Sequence, residues 1–162
     1  MTHSEGIPAS ECSVRWTTRN DTAPRLRPPD PSHASCPCYG GNLSRATTFE
    51  GAQFSGTTRL GDARFSDEAW FDRAEFSGSA RFSRVEFSGT TRFDDARFSD
   101  EAWFDGAQFN GDTSFHETHF HQEPELALAK ASHPNSSHVW PLPWRAVPTA
   151  PDADTAQLVR QE

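Results

Sequence analysis

Two near-copies of one segment dominate this sequence. Residues 57–78 read TTRLGDARFSDEAWFDRAEFSG and residues 90–111 read TTRFDDARFSDEAWFDGAQFNG, with five differences. Around and between them a large apolar residue recurs at strictly alternating steps of five and six. A fixed period, here eleven residues, predicts a repeat architecture. The recurring residues are Leu43, Phe49, Phe54, Leu60, Phe65, Phe71, Phe76, Phe82, Phe87, Phe93, Phe98, Phe104, Phe109, Phe115 and Phe120.

The glycines and turn formers favour short strands over a helix. An eleven-residue period is also typical of right-handed coiled coils. A glycine inside a helix, however, costs about 1 kcal/mol relative to alanine, and glycine recurs at 51, 56, 61, 78, 89, 106 and 111. Serine, aspartate and glycine follow most of the large residues, and these residues favour turns. The pattern therefore predicts a chain that bends every five or six residues.

A small side chain precedes almost every large one by two positions. Residues i−2 and i lie on one side of an extended strand, so each short strand directs both side chains inward. The residue between them is polar or tryptophan and is predicted to point outward. Short strands separated by corners predict a solenoid. The small residues are Ala52, Ala63, Ala69, Ala74, Ala80, Val85, Ala96, Ala102 and Ala107, with Thr47, Thr58, Thr91, Thr113 and Thr118.

Units such as Ala-Arg-Phe-Ser-Asp (63–67) and Ala-Gln-Phe-Asn-Gly (107–111) resemble the pentapeptide-repeat family. The resemblance covers residues 43–122 and implies an all-β, right-handed quadrilateral β-helix with four repeats per coil. Every second repeat here has a sixth residue, as in some variants of the family. One coil then has 22 residues, and equivalent strands stack about 4.8 Å apart. We therefore expect a solenoid of about 3.5 coils.

This register predicts which outer side chains are neighbours. Tryptophan beside arginine gives a cation–π pair, and opposite charges on adjacent strands stabilise a sheet. The predicted pairs are Trp70 with Arg92, Arg81 with Trp103, Glu75 with Arg97, and Arg64 with Glu86.

The flanks are rich in proline and lack the period. Residues 1–42 and residues 133–162 are therefore predicted to be disordered arms. Residues 123–132 contain Pro124, acidic residues and good helix formers. This composition predicts a short helix that caps the last coil.

Two small clusters contain side chains that bind metals. Cys36 and Cys38, with His33, lack an obvious fourth ligand for zinc, so we favour free thiols in an arm. His116, His119 and His121 form the densest cluster, and imidazole suits divalent transition metals. The alternative to a protein-binding function is therefore a metal-binding module through these three histidines, although solvated histidines on the last coil are favoured.

The charge lies mainly in the repeat. The formal net charge is −8, and residues 43–123 contain fifteen acidic residues against eight arginines. Nucleic-acid binding without sequence preference needs clustered lysine and arginine, so we expect no direct nucleic-acid partner. No apolar run reaches the 18 or so residues of a membrane span, and the amino terminus does not resemble a signal peptide. We therefore expect a cytoplasmic protein that binds no membrane.

Enzyme motifs are absent from the sequence. It contains no phosphate-binding loop, dinucleotide fingerprint or nucleophile elbow. Catalytic acids need a concave, partly dry pocket, whereas the repeat places its acids on convex outer faces. We therefore predict a non-enzymatic protein without cofactors, with a fragment lacking independent function as a further alternative.

The acidic surface carries the functional prediction. Glu50, Asp72 and Asp94 are expected in one row, with Asp95 and Glu117 beside them. Trp70 and Trp103 are predicted to be exposed aromatic residues and are further candidates for this site. Some pentapeptide-repeat proteins resemble duplex DNA and bind DNA gyrase in its place, so the resemblance implies a protein partner, with a topoisomerase as one candidate. Those relatives are dimeric, and a homodimer is an open alternative here.

Overall fold

The computed structural model describes residues 13–15, 40–133, 137–151 and 153–162. Their regular elements are all β-strands, as predicted. Four sheets form the four faces of a solenoid of about four turns. Within each coil the chain passes through faces I, II, III and IV in that order.

The strands within each face are parallel and 22 residues apart. Face I contains β2 (Asn42–Leu43), β6 (Arg64–Phe65), β10 (Glu86–Phe87), β14 (Gln108–Phe109) and β17 (Lys130–Ser132). Face II contains β3 (Thr47–Thr48), β7 (Ala69–Trp70), β11 (Thr91–Arg92) and β15 (Thr113–Ser114). Face III contains β4 (Gln53–Ser55), β8 (Glu75–Phe76), β12 (Arg97–Phe98) and β16 (His119–Phe120). Face IV contains β5 (Thr58–Arg59), β9 (Ala80–Arg81) and β13 (Ala102–Trp103).

Three further strands are antiparallel. β1 (Ser13–Arg15) pairs with β4 on face III. β18 (Trp144–Pro148) and β19 (Thr155–Arg160) form a hairpin, and β19 also pairs with β17 at the end of face I.

Stacked phenylalanines form the axis, as the period predicts. Phe71, Phe93 and Phe115 lie one above another, with ring centroids 4.7 and 4.9 Å apart and nearly parallel planes. Neighbouring columns meet edge-on, as Phe82 meets Phe93 at 5.5 Å and 89°. Both arrangements are favourable for aromatic rings. The predicted small residues beside them are buried too, except Thr118.

The corners are of two kinds, which explains the alternation of five and six. Each five-residue step contains a tight turn closed by a hydrogen bond between backbone groups three residues apart, as from Ala74 N to Phe71 O at 3.0 Å. Each six-residue step makes a wider bend. At one wide bend the coils approach so closely that a Cβ on Gly111 would lie 2.5 Å from the backbone of Gly89.

The third position of each tight turn has positive φ at intervals of eleven residues. Glycine occupies it at 40, 51 and 106, but other positions hold Asp62, Arg73, Arg84, Asp95, Glu117 and Leu128. A side chain there is disfavoured, since its Cβ crowds the following carbonyl.

We expect Leu128→Gly to raise the free energy of unfolding by about 1 kcal/mol, because it relieves this crowding. Leu128 has φ 60° and a side chain that is 68% exposed, so little packing is lost. Urea unfolding monitored by circular dichroism measures the change. Leu142→Gly is the control: Leu142 is also exposed, outside these turns, and its replacement should not stabilise the protein. A destabilised Leu128→Gly variant would contradict the argument.

The predicted capping helix is wrong, because the solenoid continues through that segment. Leu126 and Ala131 extend the alternation of six and five beyond Phe120, and both are buried. Glu125 pairs with Trp103 in parallel, and β17 pairs with β14. The backbone of this segment forms its hydrogen bonds with the preceding coil. It therefore adopts an extended conformation rather than a helix.

The prediction of a disordered tail is corrected for residues 144–148 and 155–160, which form the β18–β19 hairpin. Before the hairpin, Trp140 crosses the end of the solenoid, with its ring 5.3 Å from that of Phe109. Trp144 and Leu158 are buried in the same core. Apolar cover over the last phenylalanines explains why a proline-rich segment is ordered here.

The remaining amino-terminal predictions concern residues outside the described part. The disordered arm over 1–42 falls there except for Ser13–Arg15 and residues 40–42, and so do His33, Cys36 and Cys38. Among the described residues, no helix is long and apolar enough to cross a membrane.

Candidate functional site

The predicted acidic residues lie on the corner between faces II and III. This column consists of the tight-turn residues Glu50, Asp72, Asp94 and His116, together with the positive-φ residues Gly51, Arg73, Asp95 and Glu117. Successive coils meet there through backbone bonds, such as the one from Arg73 N to Asp94 O at 2.8 Å. We call this set the corner column. The structure thus brings all five predicted carboxylates onto one corner, in two adjacent rows.

Two of these carboxylates support the fold. The Asp72 Oδ1 atom accepts a hydrogen bond from the backbone N–H of Asp94 at 3.2 Å. One coil further on, Asp94 Oδ1 accepts one from the N–H of His116 at 3.1 Å. Each aspartate therefore ties its own turn to the next coil.

Arginines reduce the repulsion along the column. The Arg92 guanidinium lies 2.7 Å from Asp94 Oδ2 and 3.7 Å from Asp72 Oδ1, and so bridges the two carboxylates. Arg73 forms an ion pair with Glu50. No ion pair involves Asp95 or Glu117 within the described part of the chain. These two carboxylates are therefore the ones open to a partner.

The two aspartates differ in their pKa. Burial raises the pKa of Asp72 above its ordinary value, and the nearby Arg92 opposes this only in part. Burial also acts to raise the pKa of Asp94, but hydrogen bonds from Ser114 and Arg92 outweigh it, so the net shift is downward. The negative charge on this corner is thus firmly held at Asp94 and less so at Asp72.

The comparison with protein families matches this repeat. A family described as Pentapeptide repeats (9 copies) matches residues 71–119. Over residues 71–119 the repeats are pentapeptide repeats. The match lies within the four-turn β-solenoid, in agreement with the resemblance seen in the sequence. Comparison with curated proteins and with solved structures gave no match.

The pentapeptide-repeat solenoid confirms the predicted outer pairs, with one change. Arg81 lies 5.7 Å from the centre of the Trp103 ring. Arg64 approaches Glu86 at 3.4 Å, and Arg97 approaches Glu75 at 4.0 Å. Arg92 is the strand neighbour of Trp70, but its guanidinium turns to Asp72 and Asp94. Trp70 and Trp103 are each 38% exposed, on faces II and IV.

The histidines are not brought together as a metal site. His116 belongs to the corner column, whereas His119 is in β16 and His121 directly follows that strand. In the part of the chain that the structure describes, no three histidine, cysteine, aspartate or glutamate side chains are placed to hold a metal ion. The geometry therefore does not favour the metal-binding alternative.

We expect Asp94→Asn to cost about 1–2 kcal/mol at neutral pH, since it weakens charged hydrogen bonds to Arg92 and Ser114. A depressed pKa adds stability above the ordinary value near 3.8, and this stability is lost as pH falls through the folded value. The cost should therefore shrink below about pH 4. Urea unfolding at pH 7 and at pH 3 measures both values.

Asp72→Asn is the matched control. The raised pKa of Asp72 means that its charge opposes folding as pH rises above about 4. Asparagine keeps an oxygen acceptor for the Asp94 N–H. We therefore expect a smaller loss at pH 7 than for Asp94→Asn. Equal losses at both sites and both pH values would contradict this assignment.

Proposed function

We propose that this protein is a non-enzymatic interaction module that binds a protein partner through the corner column. The observation that supports it most is the packing of the axis. Phe71, Phe82, Phe93 and Phe104 have no exposed surface, so the interior of the repeat offers no space for a substrate. Its outer surface is then what remains for function.

The corner column is a part of that surface on which negative charge is clustered. Five carboxylates lie on it against two guanidinium groups, those of Arg73 and Arg92. Asp95 and Glu117 lie one coil apart and extend the charge beyond the paired residues. A row of fixed negative charges attracts a basic surface over several ångströms.

A basic surface that normally binds DNA is the partner class we propose, with a topoisomerase as the specific candidate. The four rungs of the column are separated by three steps of about 4.8 Å, which gives a length of about 14 Å. At about 3.4 Å per base pair this equals about four base pairs of duplex. Such a short match implies a modest affinity, so the effect is expected at micromolar concentration.

A supercoiling assay with the purified full chain tests this proposal. We expect the wild-type protein to inhibit a type II topoisomerase in competition with DNA, and the inhibition to weaken as salt is raised. The double variant Asp95→Lys and Glu117→Lys should lose this effect. Arg73 and Arg84 occupy the same positive-φ position in other tight turns, so a cation is compatible with the turn.

The control reverses the same number of charges elsewhere. The control variant combines Asp67→Lys and Asp112→Lys. Both residues lie at wide bends between faces I and II, away from the corner column. This variant should inhibit like the wild type. If the wild-type protein has no effect at micromolar concentration, the topoisomerase is not the partner. If both double variants lose inhibition equally, general acidity rather than the corner column is responsible.

A further inference from the structure

The carboxyl-terminal end of the solenoid is covered on three of its four faces. Face I continues through β17 and β19. On face II, Val139 accepts a hydrogen bond from Phe115 N and donates one to Thr113 O, both at 2.9 Å. On face IV, Glu125 forms the fourth rung through the same pair of bonds, with Phe104 N and Ala102 O, and Trp144 covers that rung by donating from Nε1 to the adjoining Pro124 carbonyl. Face III ends at β16 within the described chain.

The outer edge of β16 offers free backbone groups. His119 N and His121 N donate to Ala96 O and Phe98 O of the preceding coil, at 2.8 and 2.9 Å. Because backbone groups alternate in direction along a strand, the N–H of Phe120 and the carbonyls of Thr118 and Phe120 point the other way. Among the described residues none forms a hydrogen bond with them. An edge of this kind can accept another strand.

An apolar groove lies beside this edge. It has a volume of about 560 Å³ and runs between the last coil and the segment of residues 139–143. Phe120 contributes to its floor, and Val139 and Leu142, which are 42% and 84% exposed, contribute to its rim. A groove of this size and lining suits apolar side chains of an added strand.

The charge around the groove selects for a basic partner. Glu117 lies on its wall without an ion pair in the described chain. Glu123 on the same wall is hydrogen-bonded to Arg160, and that one guanidinium also faces Glu125 and Glu162. Among the described residues that line the groove, Glu117 and Glu123 are carboxylates and none is a lysine or arginine.

We propose that β16 and the groove bind an extended peptide in which apolar residues alternate with lysine or arginine. The peptide adds to β16 as a fifth strand of face III. Its backbone then forms hydrogen bonds with the Phe120 N–H and with the carbonyls of Thr118 and Phe120. Its apolar side chains enter the groove, and its cations face Glu117 and Glu123. This proposal rests on the proposed role of the protein as an interaction module, but the binding site is at the end of the solenoid.

A fluorescein-labelled octapeptide of alternating lysine and valine is the probe, and anisotropy with the full chain is the measurement. We expect saturable binding. N-methylation of the peptide backbone on the side that faces β16 should weaken it about tenfold, because about two hydrogen bonds are lost. Replacing the lysines with glutamates should abolish it. Leu142→Arg should weaken it also, since it places a cation on the apolar rim.

Each result decides a separate point. No binding of the lysine–valine peptide would overturn the site. Equal binding of the N-methylated peptide would overturn strand addition, and equal binding of the glutamate peptide would overturn charge selection. The supercoiling assay tests the corner column, which shares Glu117 with the groove, so the two assays are compared on the wild-type chain. Peptide binding without topoisomerase inhibition supports this site and refutes the topoisomerase proposal, whereas inhibition without peptide binding does the reverse.

Discussion

Replacing Phe93 with alanine is expected to lower the free energy of unfolding by about 3–5 kcal/mol. Phe93 has no exposed surface and stacks on Phe71 at 4.7 Å and on Phe115 at 4.9 Å. Two rings of one neighbouring column, Phe82 and Phe104, meet it edge-on at 5.5 Å. The stacked backbone cannot close the cavity, because the strand hydrogen bonds fix the spacing of the coils at about 4.8 Å.

This loss is a large part of the total stability of a domain, which is about 5–15 kcal/mol. Urea unfolding monitored by far-ultraviolet circular dichroism measures it. Phe93→Leu is the control, since leucine already serves as an axial residue at Leu60 and Leu126. It should cost clearly less than the alanine variant. If alanine is tolerated as well as leucine, the stacked rings are not the main source of stability.

The axis and the register could be predicted because every coil obeys the same rule. A slip by one residue would turn every phenylalanine outward, so the apolar pattern alone determines which residues are neighbours. The pair Arg81 and Trp103 was predicted in this way and lies at 5.7 Å. What the pattern does not determine is the direction of a long side chain. Arg92 has Trp70 as strand neighbour but turns to two carboxylates.

The end of the solenoid was predicted less well, for an identifiable reason. Residues 123–132 contain good helix formers, but intrinsic propensity is weak and tertiary context overrides it. The alternation of five and six continues at Leu126 and Ala131, and this was the available signal. This signal is weak because residue 131 is alanine rather than phenylalanine. The large side chains that fill the end, Trp140 and Trp144, come from outside the repeat.

The row of like charges in the corner column also has a physical explanation that spacing alone does not reveal. Like charges on adjacent strands destabilise a sheet, yet Asp72 and Asp94 each accept a backbone N–H from the next coil. These bonds and the bridging Arg92 offset the repulsion. The charges at Asp72 and Asp94 are therefore explained by structure. A functional role is better sought at Asp95 and Glu117, which the test variants change.

Replacing Trp144 with alanine should be the most damaging change outside the repeat, with a loss of about 3–5 kcal/mol. Trp144 is 8% exposed, packs in the core cluster and donates from Nε1 to the Pro124 carbonyl at 2.9 Å. It joins the β18–β19 hairpin to the last coil, so its loss removes both apolar cover and a buried hydrogen bond. Urea unfolding of the full chain measures the change.

Trp144→Phe separates these two contributions. Phenylalanine keeps most of the apolar cover but cannot donate to Pro124, so the hydrogen bond alone predicts a loss of about 1 kcal/mol. We also expect the alanine variant, but not the phenylalanine variant, to admit protease cleavage within residues 144–160, because the hairpin detaches from the coil. Unchanged stability and protection in Trp144→Ala would mean that the hairpin holds to the solenoid through the β17–β19 pairing alone.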